Sequence, residues 1–148
     1  MLSLMENSKS LQLDNQICFP LYVIAKEITG LYRPFLDEID ITYPQYLVLM
    51  VLWENDGLAV SHIGDKLFLD SGTLTPLLKR LESKGIIDRK RKKEDERVVE
   101  VFLTEAGKKL QQKACEIPGK IKNKIGIETE DLIHLKETIQ KILNKIEK

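Results

Sequence analysis

Cys18 is the residue with the most reactive chemistry to offer, and its value depends on where it sits. A stretch from about Leu13 carries Ile17, Leu21, Ile24, Ile28 and Leu31 at helical spacing, and Asp14 or Asn15 suits its N-cap. Cys18 then falls in the first turns, where the helix dipole favours the thiolate, the nucleophilic form. The plainer reading of a lone helical cysteine is a small buried hydrophobe, and the residues alone leave both open. Tyr22 lies one turn on. Tyr32 lies roughly 21 Å along a straight helix, out of reach within one chain. It comes within reach of a second copy if two such helices lie antiparallel about a two-fold axis. The other cysteine, Cys115, is far away in sequence. With no CxxC pair and no Cys/His cluster, a metal site is not expected. His62 and His134 have no triad partners, and Gly57, Gly64, Gly72 and Gly85 are spaced as turns rather than as a phosphate cradle. No hydrolase, nucleotide site or cofactor is expected.

The second chemistry is electrostatic. From about Ser71 to Lys84 the spacing predicts a helix with Leu74, Leu77, Leu78 and Leu81 on one buried face. Ser71, Thr73, Thr75, Lys79 and Arg80 occupy the other side, all able to donate to phosphates or base edges. About 21 Å of helix is enough to cross a major groove. Gly85 suits the position after the helix, with Lys84 just before it. Ile86-Ile87 and Val98 to Leu103 flank a loop, Lys90 to Arg97, that reads KRKKEDER. A charge run alone is usually a solvated loop. Between two strands and after this helix it reads as a wing, with Arg97 entering the minor groove and Asp95 orienting it by an ion pair. Arg89, Lys90, Arg91 and Lys92 add backbone contacts.

The elements that position these groups are mostly helices. Pro34 kinks or ends the first helix. Ile41 to Pro44 starts the next, with Thr42 or Tyr43 near the cap and Pro44 in the first turn, and Tyr46 to Trp53 is almost wholly apolar. Asn55-Asp56-Gly57 is a turn, and a short helix near Val60–Phe68 leads into the polar-faced one. Pro76 sits either in the first turns of that helix or just after a start at Thr75. Thr104 caps a helix extending to about Ile117, where Pro118-Gly119 bends it. A last helix from about Thr129 carries Leu132, Leu135, Ile139, Ile142 and Ile146 in a narrow stripe suited to a helix–helix seam. The first ten residues are polar and expected to be loose. The fold class is therefore mainly α with a small β-wing: one domain over 1–148, with a winged helix-turn-helix at about 41–104 and dimerisation helices at about 11–40 and 105–148.

Net charge is zero, which looks wrong for a DNA binder until its distribution is counted. Residues 1–78 hold 4 Lys/Arg against 10 Asp/Glu, residues 79–97 hold 9 against 5, and residues 98–148 hold 10 against 8. The positive charge gathers on the helix-to-wing segment, and local potential is what attracts a phosphate backbone. No apolar run reaches a membrane span and no signal peptide precedes the first amphipathic segment, so no membrane partner and a cytoplasmic location are expected.

Four motifs carry a resemblance: LDNQICF around Cys18, ITYPQYLVLMVLW from Ile41, LDSGTLTPLLKRLE from Leu69 and KEDERVVEVFLT from Lys93. Together they resemble MarR-family transcriptional repressors, specifically the organic-hydroperoxide-sensing branch, over nearly the whole chain. The resemblance implies a homodimer of intertwined terminal helices that presents two winged helices to a pseudo-palindromic operator in double-stranded DNA. It also implies that Cys18 is the peroxidatic cysteine, hydrogen-bonded by Tyr32 and Tyr43 of the other subunit. An apolar pocket including Phe19, Tyr22 and Phe35 would then favour organic hydroperoxides. Oxidation gives a sulfenic acid, then a disulfide with a second cysteine or a low-molecular-weight thiol, or over-oxidation, and either product lowers operator affinity. Cys115 is the possible resolving cysteine, although it lies earlier than such a cysteine is expected. The alternative is a one-cysteine mechanism with Cys115 packed. Two other functions compete: a regulator released by a phenolic or lipophilic ligand, and a thiol peroxidase, for which the winged helix has no use.

Overall fold

A computed structural model of the chain describes residues 10–146, so the polar leader and the last two residues lie outside the described residues. Helix α1 (Cys18–Asp37) follows a single 3-10 turn at Leu13–Asn15. It begins later than the expected caps at Asp14 or Asn15, and that makes Cys18 its first residue. Pro34 does not end it. It lies inside the helix, which runs on to Asp37.

Helix α2 (Tyr43–Glu54) is nearly all apolar and runs through the core, burying Tyr46, Val48, Leu49, Val51 and Leu52. Thr42 precedes it, and the buried Gln45 side chain accepts the Thr42 amide at 2.9 Å, satisfying a donor that the helix leaves unpaired. The turn that follows is pinned by Asp56, whose Oδ1 accepts from the amides of Gly57 at 2.9 Å and Leu103 at 2.8 Å.

Strand β1 (Leu58–Ala59) was not foreseen from the sequence. It leads into α3 (Val60–Leu67) and then α4 (Ser71–Ser83). Asp70 caps α4, its Oδ1 accepting the Thr73 amide at 2.9 Å. The helix therefore starts at Ser71 rather than Thr75, with Pro76 inside it. Leu74, Leu78 and Leu81 are buried, while Leu77 is only half-buried. Gly85 takes φ +68°, and Ile86 donates to the Leu81 carbonyl at 3.0 Å, closing the helix end.

Strands β2 (Ile87–Arg91) and β3 (Val99–Leu103) pair antiparallel, and β1 adds to the other side of β3, giving the order β1-β3-β2. Lys90 and Arg91 lie in β2 opposite Glu100 and Val99, so the wing loop is shorter than the expected Lys90 to Arg97. Thr104 caps α5 (Glu105–Ala114), its Oγ1 accepting the Gly107 amide at 3.1 Å. That helix stops at Ala114 rather than near Ile117. A new helix, α6 (Ile117–Ile125), starts with Pro118 in its first turn, where a missing amide costs nothing. Helix α7 (Thr129–Ile146) is the last element among the described residues.

The chain divides into two compact units, the first ending at Cys115 and the second starting at Glu116. The core of the first is Leu36, Leu49, Leu52, Ile63, Leu74, Leu78, Leu81, Ile87 and Val101. In the second, Leu135, Ile139, Ile142 and Ile146 on α7 are exposed along one stripe.

Candidate nucleic-acid interface and thiol site

Helices α3 and α4 with the β2–β3 hairpin form a winged helix-turn-helix, and its polar side is the face expected from the sequence. Ser71, Thr73, Lys79 and Arg80 are exposed along α4, and Thr75 is half-buried. Thr73 is partly committed, because its hydroxyl donates to Asp70 Oδ2 at 2.9 Å. A cleft of about 330 Å³ between this helix and the wing is lined by Ser61, Thr75, Arg89 and Arg97 among others.

The wing arginines divide into two kinds. Arg97 is the outward one, its side chain 92% exposed, with Nε 3.0 Å from Asp95 Oδ1 and a second nitrogen 3.4 Å from Oδ2. The Arg97 amide donates to the same carboxylate at 3.1 Å, so Asp95 fixes both the backbone and the guanidinium, as its spacing from Arg97 suggested. Those hydrogen bonds hold the Asp95 carboxyl below the usual aspartate range. Arg89 points inward instead. Its Nε and terminal nitrogen donate to Glu82 Oε2 at 3.0 and 2.6 Å, tying β2 to α4, and that contact lowers the Glu82 pKa. Lys90 Nζ lies 5.5 Å from the centre of the Phe102 ring, Arg91 donates to the Glu96 carbonyl at 3.3 Å, and Lys92 stands 4.0 Å from Glu100. These cations are part of the hairpin's own structure as well as of its charge.

The thiol chemistry divides between two places. Cys18 is free and exposed at the first position of α1. Tyr32, in the second half of the same helix, meets Tyr43 at the start of α2 with ring centroids 4.8 Å apart. Tyr46, which the sequence reading left in the core, is the third ring, 5.8 Å from Tyr32 and 6.4 Å from Tyr43. It stands three residues beyond Tyr43, one helical turn on, and that spacing was the available signal. Burial raises the phenol pKa of all three above 10, so they are neutral hydrogen-bond donors at neutral pH. Tyr46 also packs edge-on to Trp53 at 6.1 Å, and Trp53 Nε1 donates to the Gly107 carbonyl at 3.0 Å. A cleft of about 660 Å³ between α1 and α2 has Tyr43, Thr29 and Leu36 on its wall. Cys115, the C-cap of α5, is free, exposed and donates to the Gln112 carbonyl at 3.0 Å.

The sequence profile of the transcriptional regulator SarA/Rot family matches residues 30–114, which covers α4 and the wing. An organic hydroperoxide resistance transcriptional regulator of Bacillus subtilis (strain 168) is 49% identical over 96% of this chain and 97% of its own. This chain belongs to the MarR family of winged-helix transcriptional regulators. Among solved family members, reduced AbfR bound to DNA superposes with a TM-score of 0.80 at 32% identity, over 95% of this chain and 98% of that one. AbfR is a protein of Staphylococcus epidermidis. Its overoxidised form bound to DNA gives 0.79 at 32% identity over the same shares of each chain. Its disulfide form gives 0.64 at 32% identity over 98% and 96%. Like its relatives, this MarR-family chain is a regulator of transcription and not an enzyme. No helix among the described residues is long and apolar enough to cross a membrane.

Proposed function

We propose that the chain is a homodimeric repressor that holds a pseudo-palindromic operator in double-stranded DNA while Cys18 is reduced and lets go when organic hydroperoxides oxidise it. The observation that carries this reading is the separation of the parts: a free, exposed thiol opens α1, and a pair of half-buried, protonated tyrosines sits at its far end. Neither half is a sensor alone. An antiparallel second copy of α1 brings Cys18 of one subunit to Tyr32 and Tyr43 of the other, whose hydroxyls then donate to the thiolate. The exposed Ile17 just before α1, the exposed Phe19, Tyr22 and Ile24 on it and the α7 stripe are the apolar surface such a dimer covers.

The thiolate attacks the distal peroxide oxygen, the O–O bond breaks, and the alcohol leaves after taking a proton, so that Cys18 becomes a sulfenic acid. A second thiol then displaces water to form a disulfide. That thiol is Cys115 of the partner subunit or a low-molecular-weight thiol. The likeness to AbfR favours the disulfide as the releasing form, since overoxidised AbfR is bound to DNA and this fold is less like the disulfide form. Release follows because both half-sites, about one helical turn apart, must be met at once. Ser71, Thr73, Thr75, Lys79 and Arg80 face the major groove, Arg97 held by Asp95 reaches the minor groove, and Lys90, Arg91 and Lys92 add backbone charge, with Arg89 setting the hairpin's angle. A regulator that works on DNA belongs in the compartment that holds it, here the cytoplasm.

Cys18→Ser tests this. It should keep operator binding and lose release by cumene hydroperoxide, with a wild-type mass shift of one oxygen or one disulfide that the variant lacks. Release of DNA by the Ser variant on peroxide treatment overturns the assignment. The cleft beside Tyr43 favours a second reading, release by a lipophilic ligand, which needs no thiol and would survive in Cys18→Ser.

A further inference from the structure

Phe68 occupies the turn between α3 and α4 with 65% of its surface exposed and with φ 55° and ψ 38°, the left-handed region. Packing beneath the turn forces that conformation. The Leu69 amide donates to the Gly64 carbonyl at 2.9 Å, and a Cβ on Gly64 would lie 2.7 Å from the Leu69 carbonyl oxygen. The residue closing this bend must turn left-handed, which glycine or asparagine does readily and a bulky aromatic does not. Phe68 therefore sits in a disfavoured backbone well and gains little burial for its ring in return. Nothing inside the fold accounts for an aromatic there.

What lies outside the fold does. Phe68 stands two residues before Asp70, the N-cap of α4. In a helix-turn-helix the first helix crosses the sugar–phosphate backbone and the second enters the major groove, so the turn between them lies over the strand at the groove's rim. The nearest lysine in sequence, Lys66, is tied to Glu54 at 3.0 Å, and the other exposed charges beside the turn, Asp65 and Asp70, are negative, so the ring and not a cation is what this edge has to offer that strand. We propose that Phe68 is an apolar DNA contact that packs on the deoxyribose face of that strand. The proposal rests on α4 being the recognition helix. Such a contact neutralises no phosphate and reads no base edge, so it adds equally to operator and non-specific binding and leaves the salt dependence unchanged.

The test uses the reduced full-length homodimer and a duplex that the wild type selects from random sequence, with a scrambled duplex beside it. Phe68→Gly and Phe68→Asn both relieve the backbone and remove the ring. Each should raise Kd about tenfold on both duplexes, with an unchanged slope of log Kd against log salt. Tm should hold or rise by about 2–4 °C. A Kd within twofold of wild type overturns the proposal. So does a slope shallower by about one, and so does a loss of binding that comes with a lowered Tm. Lys79→Ala, run in parallel, separates the two levels: binding lost there but kept in both Phe68 variants removes this contact alone, and binding kept in all three removes the α4 reading beneath it.

Discussion

Gly107→Ala should be among the most damaging single-methyl changes in the chain, because of where that methyl would land. Its Cβ would lie 2.2 Å from the Ile86 carbonyl oxygen and 3.1 Å from Leu103 Cδ2. A carbon and a carbonyl oxygen need about 3.3 Å, so α5 must back away by roughly 1 Å. Several hydrogen bonds meet at this point, with the Thr104 hydroxyl also donating to the Ile86 carbonyl at 3.0 Å. Trp53 Nε1 donates to the Gly107 carbonyl at 3.0 Å, the Gly107 amide donates to Thr104 Oγ1 at 3.1 Å, and the Thr104 amide donates to the Ile86 carbonyl at 3.1 Å. A 1 Å shift of Gly107 strains all of them together and puts the Trp53 bond at risk. Overpacking costs about 1–3 kcal/mol, and a part-buried donor left without its acceptor costs about 1–3 kcal/mol more. At about 2–4 °C per kcal/mol, Tm should fall by about 5–20 °C in a calorimetric scan. Gly119→Ala is the control, since its methyl meets nothing within 4 Å and a helical alanine is favoured by about 1 kcal/mol over glycine. A Gly107→Ala protein melting within 2 °C of wild type would refute the reasoning.

The wing, the tyrosines and the terminal helix each give a further expectation. Arg97→Ala should weaken operator binding by about 10- to 100-fold in a fluorescence titration, while Lys92→Ala should mainly make the salt slope shallower. Asp95→Ala should weaken it less, by freeing a guanidinium that is still present. Because Asp95 is held below the usual aspartate range, its pairing with Arg97 is intact above that range and is lost only as pH falls through the lowered value. Tyr32, Tyr43 and Tyr46 are raised above 10 by burial, so what they add to stability is complete below pH 10 and lost as pH climbs through their folded values. Phenolate absorbance and unfolding should therefore rise together above pH 10, and Tyr32→Phe with Tyr43→Phe should separate them. Ile139→Glu on the exposed α7 stripe should shift the sedimenting mass from dimer toward monomer at micromolar concentration, with operator binding lost alongside.

What was legible in the sequence was what local chemistry decides. Thr42 before Pro44, Thr104 before α5 and Gly85 after α4 fix helix ends within a few residues of themselves, and the leucines of α4 are buried at Leu74, Leu78 and Leu81 as their spacing requires. Of the two interior prolines, Pro34 does not end its helix and Pro76 lies inside a helix that starts at Ser71, the first of the two placements its sequence allowed. Strand β1 was invisible: two residues have no period, and only their distant partners Val101 and Glu100 make them a strand. The same non-local pairing drew Lys90 and Arg91 out of the loop. At the site, the outward group of Arg97 and Asp95 was readable from a spacing of two. The inward one of Arg89 and Glu82 was not, since nothing in a sequence says which of several arginines folds back.

Strand β1 carries one more consequence. By pairing with β3 it ties the start of the helix-turn-helix to the wing, and Asp56 fastens the same corner through the Leu103 amide. Reading helix and wing are thus one casting, like the bit of a key, and a signal from the proposed sensor shifts the two bits as wholes rather than reshaping either. Oxidation then re-cuts the key instead of blunting it. The oxidised dimer should retain a preferred half-site separation of its own, and a library of operators with altered central spacers should contain one that it grips better than the reduced protein does.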